Sequence, residues 1–181
     1  ENKEDAEAEL TKTLKESEAE MRCFAAELHE LRAKEAAALS ARIREELAFL
    51  DMPGVRFEIR VRETGEYEAA GDDDVAFLLS ANPGEPLLPL ERVASGGELA
   101  RVMLTLQSVL NAKDGVGTAV FDEVDTGISG KTARKIGIRL AEIGKQTQVL
   151  CVTHSAQIAS LADAHFLVSK AEKDGSTVTG V

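Results

Sequence analysis

The sequence predicts an α/β protein in which a long helix precedes a small antiparallel β layer and a parallel sheet with flanking helices. Residues 4–50 contain neither Gly nor Pro and are rich in charge, which predicts one continuous helix. Apolar and charged residues then alternate, as in a half-buried strand. Beyond residue 95, helical apolar faces alternate with short and uniformly apolar runs, the pattern of parallel strands covered on both faces.

The N-terminal helix carries a heptad seam, which predicts a coiled-coil arm over residues 1–50. After Leu31 the apolar stripe changes phase, as at a stutter or where a helix leaves a coiled coil to pack on a globular body. A single long surface helix is the alternative. The seam consists of Leu10, Leu14, Ser17, Met21, Phe24, Leu28 and Leu31, and the later stripe of Leu39, Ile43, Leu47 and Leu50.

A second domain is predicted over residues 51–181, beginning where Met52-Pro53-Gly54 ends the helix. Its first part reads as an antiparallel β layer, and its second part as alternating helices and buried strands. The β layer has a strand at 55–61, a short strand between Gly65 and Gly71, a third at 75–79 and a rigid turn at 82–86. The second part has helices at 99–110, 129–143 and 156–161, strands at 118–121, 148–152 and 166–168, and a hairpin turn at 173–176.

Composition limits the possible functions. The net charge of −11 argues against a basic surface over the whole chain, although a local patch or a DNA surface in other sequence stays open. The two cysteines, Cys23 and Cys151, have no metal-ligand spacing, and Cys151 reads as a buried thiol in a reducing compartment. Without a signal peptide or an 18-residue apolar stretch, an intracellular protein with no membrane association is expected. Because the chain begins at Glu1 without Met, we expect a fragment.

Asp122 and Glu123 follow a buried strand and are the first candidate site. Ligands of parallel sheets bind at the carboxyl ends of the strands. One carboxylate can hold Mg²⁺ and the other can orient or deprotonate a water. The alternative is that both acids cap the next helix, but the loop from Val124 to Gly130 separates them from it. This favours a functional pair.

The segment Ser95-Gly96-Gly97-Glu98 opens an amphipathic helix and is the second candidate. It is a capping box, which is a structural role in its own right. Paired glycines cost helix propensity, however, and are best explained if a group must approach the backbone closely. A helix N-terminus of this kind can bind a phosphate. His154, the third candidate, ends the next strand, where it can sense a phosphate or be a structural histidine.

The run Gly130-Lys131-Thr132 resembles the end of a phosphate-binding P-loop. That pattern needs a glycine where Asp125 stands, so we assign Lys131 and Thr132 to the first turn of a helix. The chain contains no other GxxxxGK[ST] pattern.

Together, these motifs resemble those of ATP-binding-cassette ATPases of the chromosome-maintenance type, in particular members that repair DNA double-strand breaks. The resemblance covers about residues 55–170. It implies the C-terminal lobe of an ATPase head that is split in two by a coiled coil, with the P-loop in the other lobe. The segments that carry it are Ser80–Pro86, Ala94–Arg101, Phe121–Gly130 and Thr153–Ala159.

The resemblance also implies roles for individual residues. Ser95, Gly96 and Gly97, in the nucleotide-binding segment with Glu98, would contact the γ-phosphate of ATP on an opposite head. Asp122 would hold Mg²⁺, and Glu123 would be the catalytic base. Asp125 would reach across the head interface, and His154 would be the switch residue on the γ-phosphate.

The implied partners are an N-terminal P-loop lobe of the same protein, a second copy forming a head-to-head homodimer, and DNA. No membrane partner is implied, and the implied location is the cytoplasm in association with the nucleoid. ATP and Mg²⁺ are the implied substrate and cofactor. This chain alone is expected not to hydrolyse ATP.

Overall fold

The computed structural model describes residues 2–82, 84–92, 96–110, 117–173 and 176–180. Its contacts form two compact units: the first holds Glu1–Glu45 and Pro53–Val93, and the second holds Glu46–Met52 and Ala94–Val181. The division into domains 1–50 and 51–181 stays a prediction. None of the described helices is long and apolar enough to span a membrane.

Helix α1 (Asn2–Phe49) is continuous, as predicted. Its first half exposes the heptad seam, with Leu10 71% and Phe24 61% exposed. Its last turns bury the later stripe, with both Ile43 and Leu47 fully buried. The burial of the later stripe fits a helix that packs on a globular body there; pairing of the exposed seam in a coiled coil stays a prediction.

The first unit contains an antiparallel sheet of strands β1 (Arg56–Glu68), β2 (Gly71–Ser80) and β3 (Leu88–Pro89), in that order. A single 3₁₀ turn (Leu90–Arg92) follows. The separate strand predicted between Gly65 and Gly71 was wrong, because residues 66–68 belong to β1. The strand predicted at 75–79 is confirmed and is part of the longer β2. Strand β1 runs through Gly65, where φ is +77° and the register shifts as at a β-bulge. Glycine here permits a bulge rather than ending the strand.

Polar contacts join α1 to the β1–β2 ribbon within the first unit. His29 Nδ1 lies 2.6 Å from Asp73 Oδ1, and Arg32 Nη1 donates to Asp73 Oδ2 at 3.1 Å. Farther along α1, Ser40 Oγ accepts the backbone N–H of Ile59 at 3.0 Å. The phase change of the apolar stripe therefore coincides with the point where α1 meets the ribbon.

The second unit alternates helices and strands, as predicted. Strands β4 and β5 pair in parallel, with Thr118 opposite Gln148 and Phe121 opposite Cys151. The elements are α2 (Gly96–Leu110), β4 (Thr118–Phe121), α3 (Gly130–Ile143), β5 (Gln148–Cys151), α4 (Ala156–Ala159), β6 (Ser169–Lys173) and β7 (Ser176–Gly180).

One face of the β4–β5 sheet packs on the hydrophobic core. Phe121 belongs to the core cluster, and Ala119, Val149 and Cys151 pack against it. The remaining members of this cluster are Leu50, Leu104, Val124, Ala133, Ile136, Leu140, Ile143 and Ile158. The other face is open among the described residues, since Val120 is 67% and Leu150 48% exposed.

The predicted third parallel strand at Phe166–Val168 is wrong. These residues have no regular structure, and Phe166 and Leu167 are 80% and 81% exposed. Their run of apolar side chains suggested a buried strand, but no described strand pairs with them. Strands β6 and β7 instead form an antiparallel hairpin. Of its predicted turn at 173–176, residues 174 and 175 lie outside the described residues.

Candidate functional site

Asp122 and Glu123 lie where β4 ends, and both are exposed. Asp122 Oδ1 accepts the backbone N–H of Glu123 at 2.9 Å. Glu123 has φ +59°, a left-handed conformation that costs a non-glycine residue about 1–2 kcal/mol. Strain of this kind is found preferentially at functional sites. The chain here turns sharply and leaves both carboxylates at the carboxyl edge of the parallel sheet.

Asp125 lies in the same loop, residues 122–129, which we call the acid loop. Asp125 is only 5% exposed, whereas Asp122 and Glu123 are both exposed. Its Oδ2 accepts the Thr153 hydroxyl and the backbone N–H groups of His154 at 3.1 Å and Ser155 at 3.2 Å. The carboxylate thus joins the loop after β4 to the segment after β5.

The hydrogen bonds to Asp125 favour its charged form. Burial alone would raise the pKa of Asp125, but the bonds from Thr153 and the His154 backbone outweigh it, so the pKa lies below the ordinary aspartate value. By contrast, burial and the charges of Asp125 and Asp122 raise the pKa of Cys151 to about 11. Its thiol is therefore protonated at neutral pH and is a poor nucleophile.

The start of α2 lies against the acid loop. A methyl group built on Gly96 would lie 3.1 Å from Glu123 Oε2, and one on Gly97 would lie 3.4 Å from the carbonyl oxygen of Thr126. The two glycines predicted that another group approaches the backbone of α2 closely. That group is the acid loop of the same chain.

Arg101 fixes this approach. It is 9% exposed, and its Nη1 donates to the Thr126 carbonyl oxygen at 3.2 Å. Burial lowers the pKa of Arg101 and the charge of Glu98 opposes this, but a guanidinium stays protonated at any ordinary pH. A buried charge bound to a loop carbonyl holds that loop to α2.

His154 presents its side chain outward. The side chain is 83% exposed, and its Nδ1 lies 3.5 Å from Asp125 Oδ2. An exposed imidazole with one nitrogen facing a carboxylate can offer the other nitrogen to a ligand.

The structure thus brings the three predicted elements together. Gly96 and Gly97 adjoin Glu123 and Thr126, and Asp125 binds the segment of His154, while Glu98 lies in the first turn of α2. Ser95 lies outside the described residues. Sequence reasoning gave no role to Arg101 or Thr126. The available signal was Arg101 itself, the one basic residue in the amphipathic α2 sequence.

The assignment of Lys131 and Thr132 to a helix is confirmed. Both lie in the first turn of α3, and Ser129 Oγ caps that helix by accepting the Thr132 backbone N–H at 3.3 Å. This run is the start of helix α3.

The acids fit a magnesium ion that is shared with a substrate. Within the described ranges, no cluster of three or more His, Cys, Asp or Glu side chains could hold a metal ion by itself. Mg²⁺ needs only one or two protein carboxylates when phosphate oxygens and waters complete its shell. Asp122, exposed and partly engaged by a backbone N–H, suits that limited role.

Solved structures with a similar fold are heads of chromosome-maintenance proteins. The Smc head domain of Pyrococcus yayanosii with its coiled coil matches 83% of this chain and 27% of that chain, at TM-score 0.56 and 18% identity. The Smc head of Pyrococcus furiosus with an extended coiled coil matches 83% of this chain and 35% of its own, at TM-score 0.55 and 20% identity. The fold is therefore that of part of an Smc-type head domain.

Sequence relatives narrow this class further. DNA repair protein RecN of Halalkalibacterium halodurans is 40% identical over 99% of this chain and 33% of its own length. RecN of Deinococcus radiodurans is 48% identical over 73% of this chain and 23% of its own length. No protein-family model matches. The chain belongs to the RecN family, and it spans about a third of the length of the first of these relatives.

Proposed function

We propose that this chain is one lobe of the ATP-hydrolysing head of a RecN-type protein, which acts in the repair of DNA double-strand breaks. The observation that carries the proposal is the acid loop, which contacts both the glycine entrance of α2 and the His154 segment. Groups suited to anion binding, to carboxylate chemistry and to contact with a phosphate therefore lie in one small region.

The acids and His154 divide the chemistry at the γ-phosphate. Asp122 would hold Mg²⁺, which would supply charge neutralisation to the phosphates. Glu123 would take a proton from the attacking water, a role worth about 10²–10⁴ in rate. His154, exposed beside the same loop, would contact the γ-phosphate.

The entrance of α2 would bind ATP held by a second copy. A helix N-terminus offers free N–H groups and a positive dipole end to phosphate. Gly96 and Gly97 keep that backbone free of side chains, and Ser95 and Glu98 complete the segment. ATP would therefore join two heads in a homodimer, and we propose that this engagement is coupled to holding DNA ends.

The open face of the β4–β5 sheet supports a further partner, the P-loop lobe. Parallel sheets are ordinarily covered on both faces, yet Val120 and its partner Leu150 are 67% and 48% exposed. Since the sequence lacks a P-loop pattern, the lobe that grips the triphosphate would come from outside this chain. The chain alone would be inactive, and the complete protein would act in the cytoplasm on nucleoid DNA.

The exposed seam of α1 favours a second candidate function, a non-catalytic coiled-coil interaction module. Leu10, Leu14 and Phe24 are all at least 60% exposed. In that case, the acids and glycines would serve only as caps and turns, and nucleotide would have no effect on association.

Substitution of Glu123 separates these two functions. In the full-length protein, Glu123→Gln is expected to reduce ATP turnover at least 100-fold while trapping an ATP-bound dimer, because the amide cannot accept the proton. Turnover and ATP-dependent dimer mass would be measured together. Asp163→Asn, an equivalent charge change at an exposed residue, is the control. Normal turnover by Glu123→Gln would remove Glu123 from the role of base.

A further inference from the structure

Two adjacent residues of the acid loop are held by different parts of the second unit. The carbonyl of Thr126 accepts from Arg101 on α2, and the carboxylate of Asp125 accepts from Thr153, His154 and Ser155 after β5. The short acid loop thus forms a physical connection between the helix entrance and the histidine segment.

Hydrogen-bond donors from the segment after β5 occupy the carboxylate of Asp125. Three donors converge on one oxygen, and the Thr153 hydroxyl also accepts the backbone N–H of Ser155 at 3.0 Å. A carboxylate that is satisfied in this way and 5% exposed is poorly available to another molecule. Loss of the carboxylate would take from the His154 backbone N–H the acceptor described here and would leave the Ser155 backbone N–H only the Thr153 hydroxyl. An unsatisfied buried donor costs about 1–3 kcal/mol.

We propose that Asp125 is a positioning residue that holds the His154 segment against the acid loop of the same chain, which also carries Glu123. This inference rests on the proposed function, in which those two residues act on one nucleotide. It differs from the sequence prediction that Asp125 reaches across a head interface. Asp125 would then affect only the site to which its own chain supplies Glu123 and His154.

Mixed dimers of the full-length protein test this directly. In the first dimer, one copy carries Glu123→Gln with Asp125→Asn and its partner is wild type. Only the partner's site is then active, and it keeps its own Asp125. We expect the same turnover as in the control dimer with Glu123→Gln alone.

In the second dimer, one copy carries Asp125→Asn and the other Glu123→Gln. The active site now depends on the altered Asp125. We expect kcat to fall roughly 10- to 100-fold, as for a small misplacement of a reacting group, with little change in KM for ATP. A loss in the first dimer, or no loss in the second, would overturn the proposal.

Amide hydrogen exchange tests the positioning role of Asp125 without relying on the proposed ATP hydrolysis. In the full-length protein, amide hydrogen exchange at His154 and Ser155 is expected to accelerate at least 10-fold in Asp125→Asn, while that of β4 stays unchanged. Thr153→Val, which keeps the side-chain shape and removes one donor, should give a smaller acceleration at the same amides. Unchanged exchange at these amides in Asp125→Asn would refute the positioning role, whereas an active Glu123→Gln homodimer would refute only the proposed function.

Discussion

Asp73, on β2, pairs with two cations of α1 in the first unit. Its side chain is 1% exposed and contacts both His29 and Arg32. Burial by itself would raise the pKa of Asp73, but the hydrogen bonds from His29 and Arg32 lower it below its ordinary value. The hydrogen bond to Asp73, opposed by burial and aided by the charges of Asp73, Glu63 and Asp72, raises the pKa of His29.

These opposite shifts predict a pH window for the packing of α1 on the ribbon. Because its pKa is raised, protonated His29 stabilises the fold below about pH 6.5, and this stabilisation is lost as the pH rises through the raised pKa. Because its pKa is lowered, ionised Asp73 stabilises the fold above about pH 4, and this stabilisation is lost as the pH falls through the lowered pKa. In thermal unfolding measured at pH 5.5 and pH 8, the Tm of the chain should be lower at pH 8. This decrease in Tm should be smaller in His29→Gln. An equal loss in both proteins would contradict this assignment.

Single residues also show what the sequence could predict of the site. The positions of Asp122, Glu123 and His154 after strands could be predicted, because strand ends can be read from apolar runs and the carboxyl ends of parallel strands lie together. The contacts of Asp125 and Arg101 could not be found. They depend on the path of the acid loop in space and on partners 25 or more positions away.

Among the elements, α3 and α4 pack unusually closely. A methyl group built on Gly137 would lie 2.8 Å from Leu161 Cδ1 and 3.3 Å from the Cα of Ile158. Gly137 is buried within α3, and α4 follows directly after His154 and Ser155. The glycine therefore lets α4 sit where it supports the histidine segment.

Gly137→Ala is expected to destabilise the second unit. Overpacking costs about 1–3 kcal/mol, and the better helix propensity of Ala offsets at most about 1 kcal/mol. The net loss should lower Tm by about 2–4 °C per kcal/mol, measured by thermal unfolding. Gly117→Ala is the matched control, since a methyl group there would meet nothing within 4 Å. Equal Tm values for the two variants would show that the contact is not tight.

Secondary-structure elements were predicted correctly where the apolar pattern extends over many residues or forms a clear buried run. Helices α1, α2 and α3 and strands β4 and β5 lie where they were expected. Errors arose where a local signal is ambiguous. Gly65 marks a bulge as readily as a strand end, and the apolar run at 166–168 lacks a described pairing partner, which periodicity cannot reveal.

We infer that the whole molecule carries parts of two nucleotide sites and completes neither. Its acids and His154 would serve a nucleotide gripped by the P-loop lobe, and its α2 entrance would serve one on a second head. The acid loop connects these two parts, so they are not independent features. The P-loop lobe would cover the open face of the β4–β5 sheet.

The most direct test compares ATP turnover of this chain alone with turnover after the P-loop lobe of the same protein is added. We expect no turnover above background for the chain alone, and turnover that appears with the added lobe and disappears in Glu123→Gln. Hydrolysis by the chain alone that depends on Glu123, or no nucleotide-dependent association when the lobe is supplied, would contradict this expectation.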